Sequence, residues 1–271
     1  MTPPHLSILL PVRNETANLQ LMVKVLRALV SVPYEVLVIC DSPDDASIPI
    51  VEGLRPRYHE VRLVLNQNGR GIINALKAGV EAASGEYVLI FAADELGPTL
   101  AIHSMLELAQ AGCEFVSCTR YAHGGRRLGG SQVGGALSRV ANWAFYYLSA
   151  CAFTDATTGI KLFRREVFAR LNLQARPVGW AVAFEMTIKA QLLGLKLGEV
   201  PITSIDRLYG GESTFHLGAW TWEYWRWFVW GVWALRAKPA VWRGRLTLQH
   251  PRTPAPEGFG FIGALALAQG D

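Results

Sequence analysis

The chain has 271 residues, 51% of them hydrophobic, enough to bury one full-sized core. Its formal net charge is only +4 and Lys and Arg form no long run, which sets aside nucleic acid and leaves a small anionic ligand or an anionic membrane surface. None of the four cysteines forms a C-x-x-C pair, which argues against zinc and for a reducing, cytosolic setting; Met1 to His5 lack the basic and apolar regions of a signal peptide.

The first half alternates strands and helices. Leu6 to Val12 reads as a buried strand that Pro11 ends, and Asn14 is placed to cap a helix carrying Leu19, Met22, Val23, Leu26 and Leu29. Strand 35–40, a short helix and strand 61–65 follow. A helix from about Gly71 carries Ile72, Ala75, Leu76, Gly79 and Ala83 on one face. Strand 86–92, a helix from Pro98 to about Ala111 and strand 113–118 complete this half. Such alternation predicts βαβ units and a mostly parallel sheet.

The second half is less regular. Residues 124–130 read as a flexible basic loop, 135–151 as an aromatic-rich helix, and 160–163 as a short strand. Helix 181–193, strand 196–205 and a glycine-containing loop over 207–218 follow. From Trp220 to Trp233 aromatic rings project in nearly every direction of a helix. Glu223 and Arg226 interrupt it, so a simple membrane span is not expected. Two readings stay open: an interfacial helix whose Trp and Tyr rings sit at a membrane surface, or a helix packed on its own domain or on a second subunit. Three regions result: a domain over 1–218, the aromatic helix over 219–237, and a tail over 238–271 expected to be poorly ordered.

Three carboxylates, Asp41, Asp94 and Asp206, each follow a β-forming apolar run. In an open parallel sheet the strands' carboxyl ends share one crevice, where such groups can hold a base, a ribose or a metal bound to phosphate. Asn68-Gly69-Arg70-Gly71 opens a helix, whose N-terminus favours anions. No G-x-G-x-x-G follows the first strand, which weighs against a nicotinamide dehydrogenase.

These motifs, together with Leu10 to Glu15, Asp41 to Asp45, Thr119-Arg120-Tyr121, Thr158 to Arg165, Phe184-Glu185-Met186, Glu199 to Ile202 and Asp206-Arg207, resemble inverting family 2 glycosyltransferases of the GT-A fold. The likeness is strongest to the dolichyl- or polyprenyl-phosphate mannose synthase branch and covers about residues 6–215. It implies a Rossmann-like α/β fold and transfer of a hexose from GDP-mannose or a UDP-sugar to an acceptor, polyprenyl phosphate foremost. It also implies a place at the cytosolic face of the membrane, with self-association open.

On the resemblance, Pro11, Arg13, Glu15, Asp41, Gly69, Arg70 and Arg120 join Asp94 around the nucleotide. Glu185 lies near the sugar or acceptor, and Arg207 sits on a mobile loop closing over the diphosphate. The family carries Asp-x-Asp for Mg²⁺ or Mn²⁺, whereas this chain reads Ala92-Ala93-Asp94. Asp94, helped by Glu95, is then the expected metal ligand. The missing carboxylate keeps a second expectation alive: a non-catalytic nucleotide-sugar-binding partner in a membrane complex. Arg126 and Arg127 suit an anionic acceptor such as a lipid phosphate.

Overall fold

The computed structural model describes residues 5–177, 179–205, 217–238 and 246–249. Strands β1 (Leu6–Val12), β2 (Tyr34–Cys40), β3 (Val61–Leu65) and β4 (Tyr87–Ile90) alternate with helices α1 (Ala17–Leu29), α2 (Ser47–Leu54) and α3 (Ile72–Ala82). A 3-10 turn (Gly97–Ala101), α4 (Ile102–Gln110), β5 (Phe115–Thr119), β6 (Arg126–Leu128) and α5 (Gln132–Ser149) follow. The remainder is β7 (Lys161–Arg164), α6 (Val167–Leu171), α7 (Ala181–Leu192), β8 (Leu197–Pro201), β9 (Thr203–Ile205), α8 (Leu217–Arg236) and β10 (Leu246–Leu248).

Eight strands form one sheet in the order β10-β8-β5-β7-β4-β1-β2-β3, and only β7 runs antiparallel to its neighbours. The expected α/β, mostly parallel architecture is therefore present. Its inner strands read as unbroken apolar runs because both sheet faces are covered by helices. The chain winds from β1 outward to β3, then returns to lay β4 on the other side of β1. That reversal opens a crevice outside the carboxyl ends of β1 and β4, the usual ligand position in such sheets.

Several boundaries differ from the sequence reading. Pro11 does not end β1, which continues to Val12 against Cys40. Pairing of β1 to β4 stops at Leu9–Ile90, so Pro11 has a strand partner on one side only, where a missing N–H is tolerated. Asn14 does not cap α1. It has a left-handed backbone (φ 54°), and its side chain accepts from Ala46 N at 3.2 Å. The stretch 196–205 divides, since β8 stays beside β5 while β9 turns away to pair with β6. Residues 126–128 are thus a strand within the expected basic loop. In the tail, β10 pairs with β8, so part of the segment expected to be poorly ordered extends the sheet.

One side of helix α8 packs on its own domain, as the second reading of the aromatic segment expected, and the other side is exposed. Glu223, Trp227, Ala234 and Leu235 are buried, with α8 packed on α5 and α7, while Trp222, Trp225, Val229 and Trp233 are exposed. No helix among the described residues is long and apolar enough to cross a membrane.

Candidate active site

The carboxyl edge collects most of the predicted residues. Arg13 and Glu15 follow β1, Asp41 follows β2, Asn66 follows β3, Asp94 and Glu95 follow β4, and Arg120 follows β5. Each is delivered by a parallel strand, so all emerge at the same end of the sheet.

Asp41 is the best-anchored carboxylate of the edge. Oδ1 accepts from Asn66 Nδ2 at 2.7 Å and Oδ2 accepts from Gly71 N at 3.0 Å. Asn66 also donates to Gly69 O at 2.7 Å and accepts from Asn68 N at 2.9 Å, which folds the Asn68–Gly71 turn around it. Gly69 and Gly71 both have positive φ (85° and 117°), and a Cβ on Gly71 would lie 2.5 Å from Pro177 Cβ, so glycine is required there. Arg70 stays exposed between them at the start of α3. Asn66 escaped the sequence reading, although an Asn-x-Asn directly after a strand is an Asx-turn signal.

Glu15 is half-buried and accepts from Asn18 Nδ2 at 3.0 Å, while its N–H donates to Ser47 Oγ at 2.9 Å. Arg13 beside it is exposed. Asp45 is buried, accepting from Asn14 N and Ser47 N at 3.0 and 2.8 Å, so it ties the turn after β1 to the start of α2.

Asp94 and Glu95 are half-buried at the β4 turn. Gly97 lets β9 pass close by, since a Cβ there would lie 2.0 Å from Thr203 O. The chain of β9 then runs on to Asp206 and Arg207, which lie outside the described residues. No cluster of three or more His, Cys, Asp or Glu that could hold a metal occurs among the described residues. Asp94 and Glu95 are two carboxylates consecutive in sequence, and Mg²⁺ or Mn²⁺ held by one or two protein ligands plus substrate phosphates needs no larger cluster.

Two predicted residues are otherwise engaged. Arg120 closes a fork on Asp155, Nε to Oδ2 at 2.7 Å and Nη2 to Oδ1 at 3.0 Å, and Nη2 also donates to Thr157 Oγ1 at 3.1 Å. Burial acts against both charges, yet each holds the other ionised: Arg120 is pushed up and Asp155 down from their ordinary values. Glu185 is fully buried in α7, where Oε1 and Oε2 accept from Gln174 N and Ala175 N at 2.6 and 2.7 Å, and Lys189 Nζ lies 2.6 Å from Oε1. Both oxygens are thus engaged by the chain before α7.

Behind the edge lies a buried polar group that the sequence did not reveal. Lys161 Nζ donates to Ser117 Oγ at 2.7 Å, and Glu199 accepts from Thr154 N and Oγ1 at 2.8 and 2.9 Å. Burial pushes Glu199 up to about 7 and Lys161 down to about 8.

A basic cavity of about 750 Å³ lies beyond Arg120, lined among others by Tyr121, Arg126, Arg127, Ser131 and Arg139. Ser131 caps α5 by accepting from Gly134 N at 3.1 Å, so the positive end of an 18-residue helix faces the same space. A smaller cavity of about 550 Å³ between α2 and β3, lined by Glu52, Arg55, His59 and Arg62, lies at the amino end of β3, away from the carboxyl edge.

Residues 7–171 match the sequence profile of Glycosyl transferase family 2. The chain belongs to that family. Among curated relatives, this glycosyltransferase is 26% identical over 213 residues to dolichol-phosphate mannosyltransferase of Pyrococcus furiosus, covering 73% of this chain and 55% of that one. It is 28% identical over 216 residues to polyprenol monophosphomannose synthase of Mycolicibacterium smegmatis, covering 75% and 78%. It thus spans only about half the length of the Pyrococcus relative. Its fold is also that of Mycobacterium tuberculosis glucosyl-3-phosphoglycerate synthase, solved with Mn²⁺, UDP and glucosyl-3-phosphoglycerate, with a TM-score of 0.62 at 21% identity over 84% of this chain and 80% of that one. The GT-A expectation therefore holds.

Proposed function

We propose that this glycosyltransferase moves a hexose from a nucleotide sugar to polyprenyl phosphate, with inversion at the anomeric carbon. The observation that carries the acceptor is the juxtaposition on α5. Its N-terminus faces the cavity lined by Arg126, Arg127 and Arg139, and from the first turn onward its outer side shows Val133, Leu137, Val140, Trp143 and Tyr147, each at least 58% exposed. An anionic head joined to a long apolar tail fits that sequence of surfaces. Helix α8, packed on α5, adds exposed Trp222, Trp225 and Trp233, which supports attachment to a membrane surface.

In this reading the nucleotide lies along Pro11, Arg13 and Glu15, with Asp41 accepting from base or ribose and the Gly69–Gly71 turn offering close backbone approach. Asp94 and Glu95 would hold Mg²⁺ or Mn²⁺ at the diphosphate. When bound, the metal neutralises the charge of the leaving nucleoside diphosphate. The acceptor's phosphate oxygen attacks the anomeric carbon as the bond to the diphosphate breaks, and the diphosphate keeps the electron pair. A phosphate oxygen is already anionic, so no general base is required. An alcohol acceptor would need one within hydrogen-bond reach. Glu185, whose oxygens are engaged by two backbone N–H groups and Lys189, is poorly placed to serve. Among donors, the curated relatives favour a mannose donor, for which the family resemblance implies GDP-mannose, and the UDP held by the structural relative favours a UDP-sugar.

The acceptor is tested by offering polyprenyl phosphate and the water-soluble 3-phosphoglycerate in parallel. Transfer to the lipid that falls in Arg127→Ala/Arg139→Ala supports the reading, and transfer to the soluble phosphate alone contradicts it.

A further inference from the structure

Residues 174–176 present three successive backbone N–H groups, and each is accepted by a buried carboxylate. Glu185 of α7 takes those of Gln174 and Ala175 at 2.6 and 2.7 Å, and Glu223 of α8 takes that of Arg176 at 3.1 Å. Glu223 is 1% exposed and also accepts from Arg226 Nη2 at 2.6 Å and Trp227 Nε1 at 3.1 Å. Its other oxygen is buried and has no hydrogen-bond partner among the described residues. A half-satisfied buried carboxylate is a poor device for stability alone.

The next residue, Pro177, lies directly against Gly71, whose N–H donates to Asp41 Oδ2 at 3.0 Å. A continuous line of contacts thus runs from α8 through Glu223, Arg176, Pro177 and Gly71 to Asp41. Farther along, Gly179 also meets α8, because a Cβ there would lie 2.5 Å from the Trp220 ring. Close packing of Pro177 on Gly71 leaves little room for the turn to move independently of Pro177.

We propose that residues 174–177 form a strap through which α8 fixes the Asp41–Gly71 end of the donor pocket, making Glu223 and Pro177 positioning residues for nucleotide binding. The inference rests on the reading of Asp41 as the nucleotide's partner. Helix α8 also carries the exposed aromatic face, so the seating of that helix and the shape of the donor pocket are set together.

The test is calorimetric binding of GDP and of UDP, each with Mn²⁺, to the full chain as wild type, Glu223→Gln and Pro177→Gly. The glutamine is nearly isosteric, and the glycine removes the ring that packs on Gly71 without touching a buried charge. Both folded variants should bind nucleotide about five- to tenfold more weakly. Their kcat at saturating donor should stay within about twofold of wild type, the split expected when binding alone is lost. Unchanged affinity in folded variants would overturn the strap and leave the donor site standing. A wild-type chain that binds neither nucleotide would overturn the donor reading and the strap with it.

Discussion

Arg120 and Asp155 close a two-bond fork beneath the carboxyl edge, at 2.7 and 3.0 Å, with the carboxylate wholly buried. Such a pair adds little net stability over an apolar substitute, but losing one partner strands the other charge. Arg120→Ala should lower the unfolding free energy by about 3–5 kcal/mol in urea titration. Arg120→Lys should recover only part of it, because a point charge cannot fill the fork. If Arg120→Ala weakened donor binding without shifting the urea midpoint, the side chain would be serving the nucleotide instead of the fold.

Glu199 and Lys161 give stability a defined pH dependence. The folded carboxyl of Glu199 stands near 7 against an ordinary 4.5, so the folded state binds more protons between those values and stability should fall as pH rises through that window. Lys161 stands near 8 against 10.5, so the unfolded state binds more protons there and stability should rise from about pH 8 to 10.5. Thermal midpoints against pH should pass through a shallow minimum near neutrality. Glu199→Gln should flatten the acid limb and Lys161→Met the alkaline one.

Asp41→Ala should weaken nucleotide binding by at least about tenfold, since a lost charge-assisted hydrogen bond is worth about 1.5–3 kcal/mol. It also releases Asn66 and Gly71 N, so Asp41→Asn, which keeps one acceptor, should fold better while still binding poorly. Direct titration with GDP and UDP reads the effect without an acceptor.

Ala92 stands where the family carries a carboxylate. If the wild type is already competent, Ala92→Asp should change transfer by no more than a few-fold and chiefly sharpen its response to Mn²⁺. A gain of several orders of magnitude would instead favour a non-catalytic nucleotide-sugar-binding protein.

The parallel half of the fold was legible because strands covered on both faces read as continuous apolar runs, and β1, β2 and β4 are buried along almost their whole length. The positions of Asp41 and Asp94 at the carboxyl edge were legible for the same reason, as the first carboxylates after such runs. What a carboxylate or a guanidinium pairs with was not, because it depends on tertiary distance. Asp155 lies thirty-five residues from Arg120, and nothing local marks it as the partner. Glu185 reads as a catalytic candidate in sequence because a lone acid in an apolar helix needs a partner, and its partners proved to be backbone N–H groups ten and eleven residues earlier. Strand β6 was hidden by its three residues, two of them Arg, which pair only because β9 turns toward them.

The most direct measurement is transfer of labelled sugar from GDP-mannose, UDP-glucose and UDP-N-acetylglucosamine to polyprenyl phosphate, with Mg²⁺, Mn²⁺ or chelator, by wild type and Asp94→Ala. Metal-stimulated transfer from one donor, lost in Asp94→Ala, is the predicted result. No transfer from any donor to the lipid phosphate would contradict the assignment.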